Sequence, residues 1–135
     1  MGAWSGSNAV YLYNKGERGL YTNGAGKICY TDTSNKITVR YHTLSNLSSL
    51  RIKENIYPIS DNDALSLLHI NPVYFNYKKG YGSQEKTIGV IAEEVERFVR
   101  YIVTEDEDPI NPTLKLKGVS YDKFIPYLIK LAQIQ

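Results

Sequence analysis

Apolar and polar positions change their rhythm once along this chain, near residue 53. Ahead of that point come short apolar or aromatic runs: Val10-Tyr11-Leu12-Tyr13, Gly19-Leu20-Tyr21, Ile28-Cys29-Tyr30 and Ile37-Thr38-Val39-Arg40-Tyr41. Turn formers such as Asn23-Gly24 and Ser34-Asn35-Lys36 separate them, which predicts short β-strands. None of the runs is long enough for a sheet with a core of its own, so pairing between chains is the expected solution.

Beyond Lys53 the spacing turns helical. Ser60 is placed to cap a helix by accepting from the backbone N–H of Asp63, with Ala64, Leu65 and Leu68 on one apolar face and Asn71-Pro72 as the stop. Val73 to Tyr77 predicts an aromatic-rich strand, followed by a loop from Lys79 to Ser83. Apolar residues at 88, 91, 95, 98 and 102, with the opposite-charge pairs Glu93/Arg97 and Glu96/Arg100, predict one long helix. Next come a strand from Tyr101 to Thr104, an exposed acidic turn from Glu105 to Pro112 and a strand from Leu114 to Val119. Ser120 is the expected cap of a last helix, in which Pro126 either makes a kink or marks the true first turn. Phe124, Leu128 and Leu131 form one apolar row of that helix, and Ile125, Ile129 and Ala132 a second. A helix so widely apolar must pack on its own domain and on something further, so the class is α+β with an unsatisfied helix face.

Composition narrows the possible partners. Sixteen basic against fourteen acidic residues leave a formal charge of +2 with no basic run, so there is no electrostatic footprint for nucleic acid. No apolar run approaches the roughly 18 residues that span a bilayer, and no membrane partner is expected. Cys29 is alone, which excludes an intrachain disulfide framework. The two histidines, His42 and His69, have no neighbouring ligand cluster, so neither a metal nor another cofactor is expected. A compact part of about 90 residues buries only a marginal core, and oligomerisation is an economical way to add buried surface.

The candidate chemistry lies at the change of rhythm, in Ser48-Ser49-Leu50-Arg51-Ile52-Lys53-Glu54-Asn55-Ile56. A serine five residues ahead of a lysine is weak by itself, since ten serines and eleven lysines in 135 residues give about one such pair by chance. Two further blocks follow it: Ile88-Gly89-Val90-Ile91-Ala92-Glu93-Glu94-Val95-Glu96 and Val119-Ser120-Tyr121-Asp122-Lys123-Phe124-Ile125-Pro126-Tyr127-Leu128-Ile129. In this order the three blocks resemble the endosialidase-type intramolecular chaperone, the self-cleaving peptidase S74 domain. That family pattern has Asp directly after the serine where this chain has Ser49; only Ser48 has the five-residue spacing to a lysine.

The resemblance implies a homotrimer with a C-terminal helical bundle. Residues 1–47 would be the β-stranded end of a phage tail spike, fibre or neck-appendage stalk, and residues 48–135 a small helix-and-strand chaperone. Its expected partners are its own copies and the upstream part of the same polypeptide. It would drive trimerisation and folding of that β-structure, then release itself in the host-cell cytoplasm during assembly, leaving no released module in the virion. Ser48 and Lys53 are the implied catalytic dyad of a single-turnover serine endopeptidase. The implied bond is Leu47-Ser48, although the spacing is compatible with a cut on either side of Ser48. Asn55 and His42 are candidates for supporting roles, beside plainer ones as a turn residue and a strand-edge histidine.

A dyad of this kind needs a neutral amine to take the serine proton while the oxygen attacks a carbonyl and forms an ester that water resolves. Lysine ordinarily titrates near 10.4, and only desolvation lowers that by the roughly three units required. A small domain alone desolvates a lysine poorly, so Lys53 is expected to become a base only when assembly seals it. Backbone N–H groups near Ser49 to Arg51 are candidate oxyanion donors. Glu93 and Glu94, adjacent on a helix, diverge and are expected to be solvated or to meet another chain, while Gly89 would allow a close backbone approach. The twelve tyrosines leave an alternative open: a non-catalytic trimerisation and attachment tip that binds host-surface glycan.

Overall fold

The computed structural model describes residues 40–135 and the backbone of three strands ahead of them, β1 (Asn14–Lys15), β2 (Arg18–Thr22) and β3 (Ile28–Tyr30). These strands form an antiparallel sheet in the order β1-β2-β3, with Lys15 opposite Arg18 and Tyr21 opposite Cys29. β2 and β3 coincide with the runs expected from their aromatic and β-branched residues. The expected strands at 10–13 and 37–39, and the turns at 23–24 and 34–36, lie outside the described residues. Arg40 and Tyr41 are not in a strand.

The chain divides into two compact units. One joins Met1–Val39 with Asn76–Glu85; in its second segment Tyr81 N–H donates to the Lys78 carbonyl at 3.0 Å. Gly80 supplies the positive φ of 91° that this turn requires at its third position. The other unit contains Arg40–Phe75 and Lys86–Gln135 and holds the hydrophobic core.

That second unit is α+β, three short helices with two two-stranded antiparallel ribbons. Helix α1 (Asp61–Leu65) begins as its sequence predicts, with Ser60 Oγ accepting from Asp63 N–H at 3.1 Å, and runs into a 3₁₀ turn over Ser66–His69. Strand β4 (Val73–Phe75) pairs with β5 (Thr87–Gly89), Tyr74 opposite Ile88. Helix α2 spans only Ala92–Glu96, followed by a 3₁₀ turn over Arg100–Ile102. Strands β6 (Val103–Glu107) and β7 (Lys115–Val119) pair with Val103 opposite Val119 and Glu107 opposite Lys115. Helix α3 (Phe124–Ile134) closes the chain and packs on α1, where Ala64 is fully buried and Lys130 meets Asp61 at 3.4 Å. Ile70, Val95, Val99, Ile102 and Tyr127 make the core, with Ile59, Phe98, Val119 and Phe124 packed against it.

Three expectations need correction. The single helix from Ile88 to Ile102 is instead a strand, a short helix and a 3₁₀ turn. Thr87, Ile88, Val90 and Ile91 are β-branched around a glycine, which favours pairing with β4 over a helical turn. Ile88 is accordingly 71% exposed, and Glu96 pairs with Lys117 of β7 at 2.8 Å rather than with Arg100. The acidic turn begins later than its charges suggest, because Glu105 to Glu107 extend β6. Asp108 is buried, its Oδ1 accepting from the N–H groups of Ile110 and Asn111 at 2.8 and 3.2 Å. In α3 the inward row is Phe124, Tyr127 and Leu131, while Leu128 stands beside Ile125 and Ile129 on the exposed face. Pro126 sits in the first turn of α3, where a missing N–H costs no intrahelical bond.

Gly89 holds the β4–β5 ribbon close to the segment that enters α3. A Cβ at this position would lie 2.6 Å from Tyr121 Oη and 3.0 Å from Phe75 Cε1. Tyr121 Oη in turn accepts from Val90 N–H at 3.0 Å. Gly89→Ala is therefore expected to destabilise the domain by roughly 1–3 kcal/mol. Urea unfolding of the variant beside wild type checks this, and an unchanged midpoint would contradict it.

Candidate functional site

A single 3₁₀ turn, Leu50–Ile52, brings the candidate residues together. Ser49 before it and Lys53 after it are both extended, with φ/ψ of −66°/143° and −114°/149°. The turn closes through Ile52 N–H to the Ser49 carbonyl at 3.1 Å and Lys53 N–H to the Leu50 carbonyl at 3.4 Å. Ser49 Oγ caps it, accepting from Arg51 N–H at 3.1 Å. That is a task a short oxygen-bearing side chain performs, aspartate or serine alike, which gives a physical reason for Ser49 to stand where the family pattern has Asp.

With Ser49 occupied as the cap, Ser48 is left to face the lysine. Lys53 Nζ donates to Ser48 Oγ at 2.5 Å. The same contact works in reverse once the amine is neutral: the hydroxyl then donates to nitrogen, the geometry a general base needs. Leu47, the residue before the nucleophile candidate, is 88% exposed. Every residue from Arg40 to Pro58 is exposed, so nothing on one chain among the described residues buries the amine.

Asn55 lies two residues beyond Lys53 and adopts a φ of 54°, the left-handed region. Asparagine tolerates this conformation better than other residues with a Cβ, whose cost is roughly 1–2 kcal/mol. The turn role is thus the one its backbone displays. Asn55→Gly is expected to keep the Ser48–Lys53 geometry, whereas Asn55→Val is expected to lose about 1–2 kcal/mol of local stability and loosen it. Amide hydrogen exchange across residues 49–56 reads the difference; equal protection in both variants would contradict it. His42 lies in the same exposed stretch and makes no hydrogen bond to Ser48 or Lys53 among the described residues.

Residues of the second and third sequence blocks make contacts that spacing did not reveal, one of which reaches this segment. Glu94 is not a free carboxylate: Asn71 donates to it twice, from its backbone N–H at 2.7 Å and from Nδ2 at 3.3 Å. The carboxylate thereby secures the bend before Pro72. Tyr121 holds Val90, as described above, and Asp122 Oδ2 accepts from Asn46 Nδ2 at 3.3 Å. The nearest sequence signal for these contacts was that Val90, Glu94, Tyr121 and Asp122 fall inside the blocks and Asn46 just ahead of the first; Asn71 lies outside them.

Among the described residues, no group of three His, Cys, Asp or Glu side chains is placed to hold a metal ion. None of the described helices is long and apolar enough to cross a membrane.

The described residues thus combine a capped serine-lysine turn, a small α+β core and a last helix with an exposed apolar face. Residues 48–105 match the peptidase S74 family, chaperone of endosialidase. The match supports an endosialidase-type chaperone domain in this part of the chain. No curated protein matches the chain.

Proposed function

We propose that this chain is the C-terminal, self-releasing chaperone module of a phage tail spike, fibre or neck-appendage protein. The observation that carries the cleavage step is the 2.5 Å contact between Lys53 Nζ and Ser48 Oγ, at the first residue of the family match. Neutral Lys53 takes the Ser48 hydroxyl proton as Oγ attacks the Leu47 carbonyl carbon. The C–N bond of Leu47-Ser48 breaks, the proton passes to the departing Ser48 nitrogen, and a Leu47 ester on Ser48 Oγ forms. Water then hydrolyses the ester, returning the hydroxyl and leaving a carboxylate on Leu47. Arg51 N–H is engaged by Ser49, so Ser49 and Leu50 offer the N–H groups for the oxyanion.

A solvated ammonium is a poor base, and the surface around the pair is apolar. Leu44, Leu47, Leu50 and Ile52 are exposed on one chain, as are Ile125, Leu128 and Ile129 of α3. Trimerisation through these residues covers both the last helix and the lysine. Cleavage thus follows assembly. The module holds three chains in register while β-structure ahead of residue 48 pairs, a step slowed by the entropy of non-local contacts. Its departure removes the template for reversal and leaves the product behind a large unfolding barrier. The work is done in the cytoplasm of the infected cell, before the virion is complete.

The released fragment tests this directly. Its first residue, read by N-terminal sequencing, is expected to be Ser48. A fragment starting at Ser49 would move the attacked carbonyl to Ser48 itself, and fragments in Ser48→Ala would remove the serine from the reaction.

A further inference from the structure

Segment 40–58 carries the dyad yet contributes no buried side chain. Among the described residues, one side-chain hydrogen bond ties this segment to residues beyond its junction with α1: Asn46 Nδ2 to Asp122 Oδ2, 3.3 Å across 76 positions. Asn46 stands one residue before Leu47, whose carbonyl is attacked on the reading above. Asp122 stands two residues before α3 begins, in a 3₁₀ turn over Tyr121–Lys123 whose closing bond runs from Lys123 N–H to the Ser120 carbonyl at 3.0 Å. Its neighbour Tyr121 is fixed by Val90, and Ser120 N–H donates to the Ile102 carbonyl at 2.8 Å, with Ile102 fully buried. Asp122 is thus carried by a turn tied to the buried core, while its carboxylate reaches the cleavage segment.

We infer that Asp122 is a positioning residue for self-cleavage: by holding Asn46 it fixes the chain one residue before the scissile carbonyl and links its placement to the start of the helix that assembles. This rests on the proposed Leu47-Ser48 cleavage. Small misplacements of reacting groups are costly, because an attack geometry must be held to within a fraction of an ångström. The pair is a donor amide and an acceptor carboxylate, so its chemistry can be inverted. Asn46→Asp together with Asp122→Asn places the acceptor on the segment and the donor on the helix turn, preserving one hydrogen bond.

Cleavage rates of the full chain, measured by intact mass after assembly, test the inference. Asp122→Ala and Asn46→Asp alone are each expected to slow release roughly fivefold, the loss of about one hydrogen bond. Asp122→Asn, whose amide oxygen still accepts, and the double exchange are expected to stay near the wild-type rate. Unfolding midpoint and trimer fraction, read on a Ser48→Ala background, are expected not to move, which separates positioning from a merely structural role. Wild-type rates in Asp122→Ala, or an exchange no faster than Asn46→Asp alone, would overturn the positioning role and leave the dyad standing. A wild-type chain that stays intact after assembly would overturn the dyad and this inference together.

Discussion

Lys53→Arg is expected to leave the chain uncut although it keeps the positive charge and a donor for Ser48. A guanidinium cannot be deprotonated in a protein, so it cannot serve as the base. Ser48→Ala and Lys53→Met are expected to fail in the same way, each losing at least about a thousandfold in release rate. Because the two groups act as a unit, the double variant should be no slower than either single one. Both side chains are exposed and contribute nothing to the buried core, so stability is expected to stay within about 0.5 kcal/mol of wild type. Intact mass shows the release and urea unfolding shows the stability. Appreciable cleavage in Lys53→Arg would mean that the lysine holds the serine in place instead of taking its proton.

The second large effect is expected far from the dyad in sequence. Ile125→Glu with Leu128→Glu places two carboxylates on the outer face of α3, where the native residues are 56% and 50% exposed. Phe124 and Tyr127 still face the core, so a folded single chain is expected. A trimer interface would instead have to bury two unpaired charges from each chain, a cost of several kcal/mol each. Assembly is expected to fail, and cleavage with it, even though Ser48 and Lys53 are untouched. Sedimentation combined with intact mass separates the possibilities. A monomeric variant that cuts itself at the wild-type rate would show that Lys53 needs no partner chain.

Much of this was legible where a side chain acts on its own neighbourhood. Ser60 announced α1 because capping is local, and Pro126 announced the first turn of α3 for the same reason. The Ser48–Lys53 contact was accessible because a five-residue step closes through a single turn. Periodicity misled where two rhythms overlap: residues 88, 91, 95, 98 and 102 fit a helix, yet β-branching around Gly89 and the waiting edge of β4 made the first of them a strand. Glu94, Tyr121 and Asp122 were invisible as a set because their partners, Asn71, Val90 and Asn46, lie 23, 31 and 76 positions away. Only the fold brings such pairs together. The inward face of α3 was likewise undecided by its sequence, since a helix apolar on two sides does not say which side its own domain claims.

The most direct test of assembly-gated self-cleavage is the release rate of the C-terminal fragment, followed by intact mass across protein concentrations where monomer and trimer interconvert, with Ser48→Ala alongside. A rate that rises with the trimeric fraction, with no release in Ser48→Ala at any concentration, is the expected result. A rate independent of concentration would contradict gating by assembly. A wild-type chain of full mass at every concentration would contradict cleavage itself and leave a trimeric attachment tip as the better description.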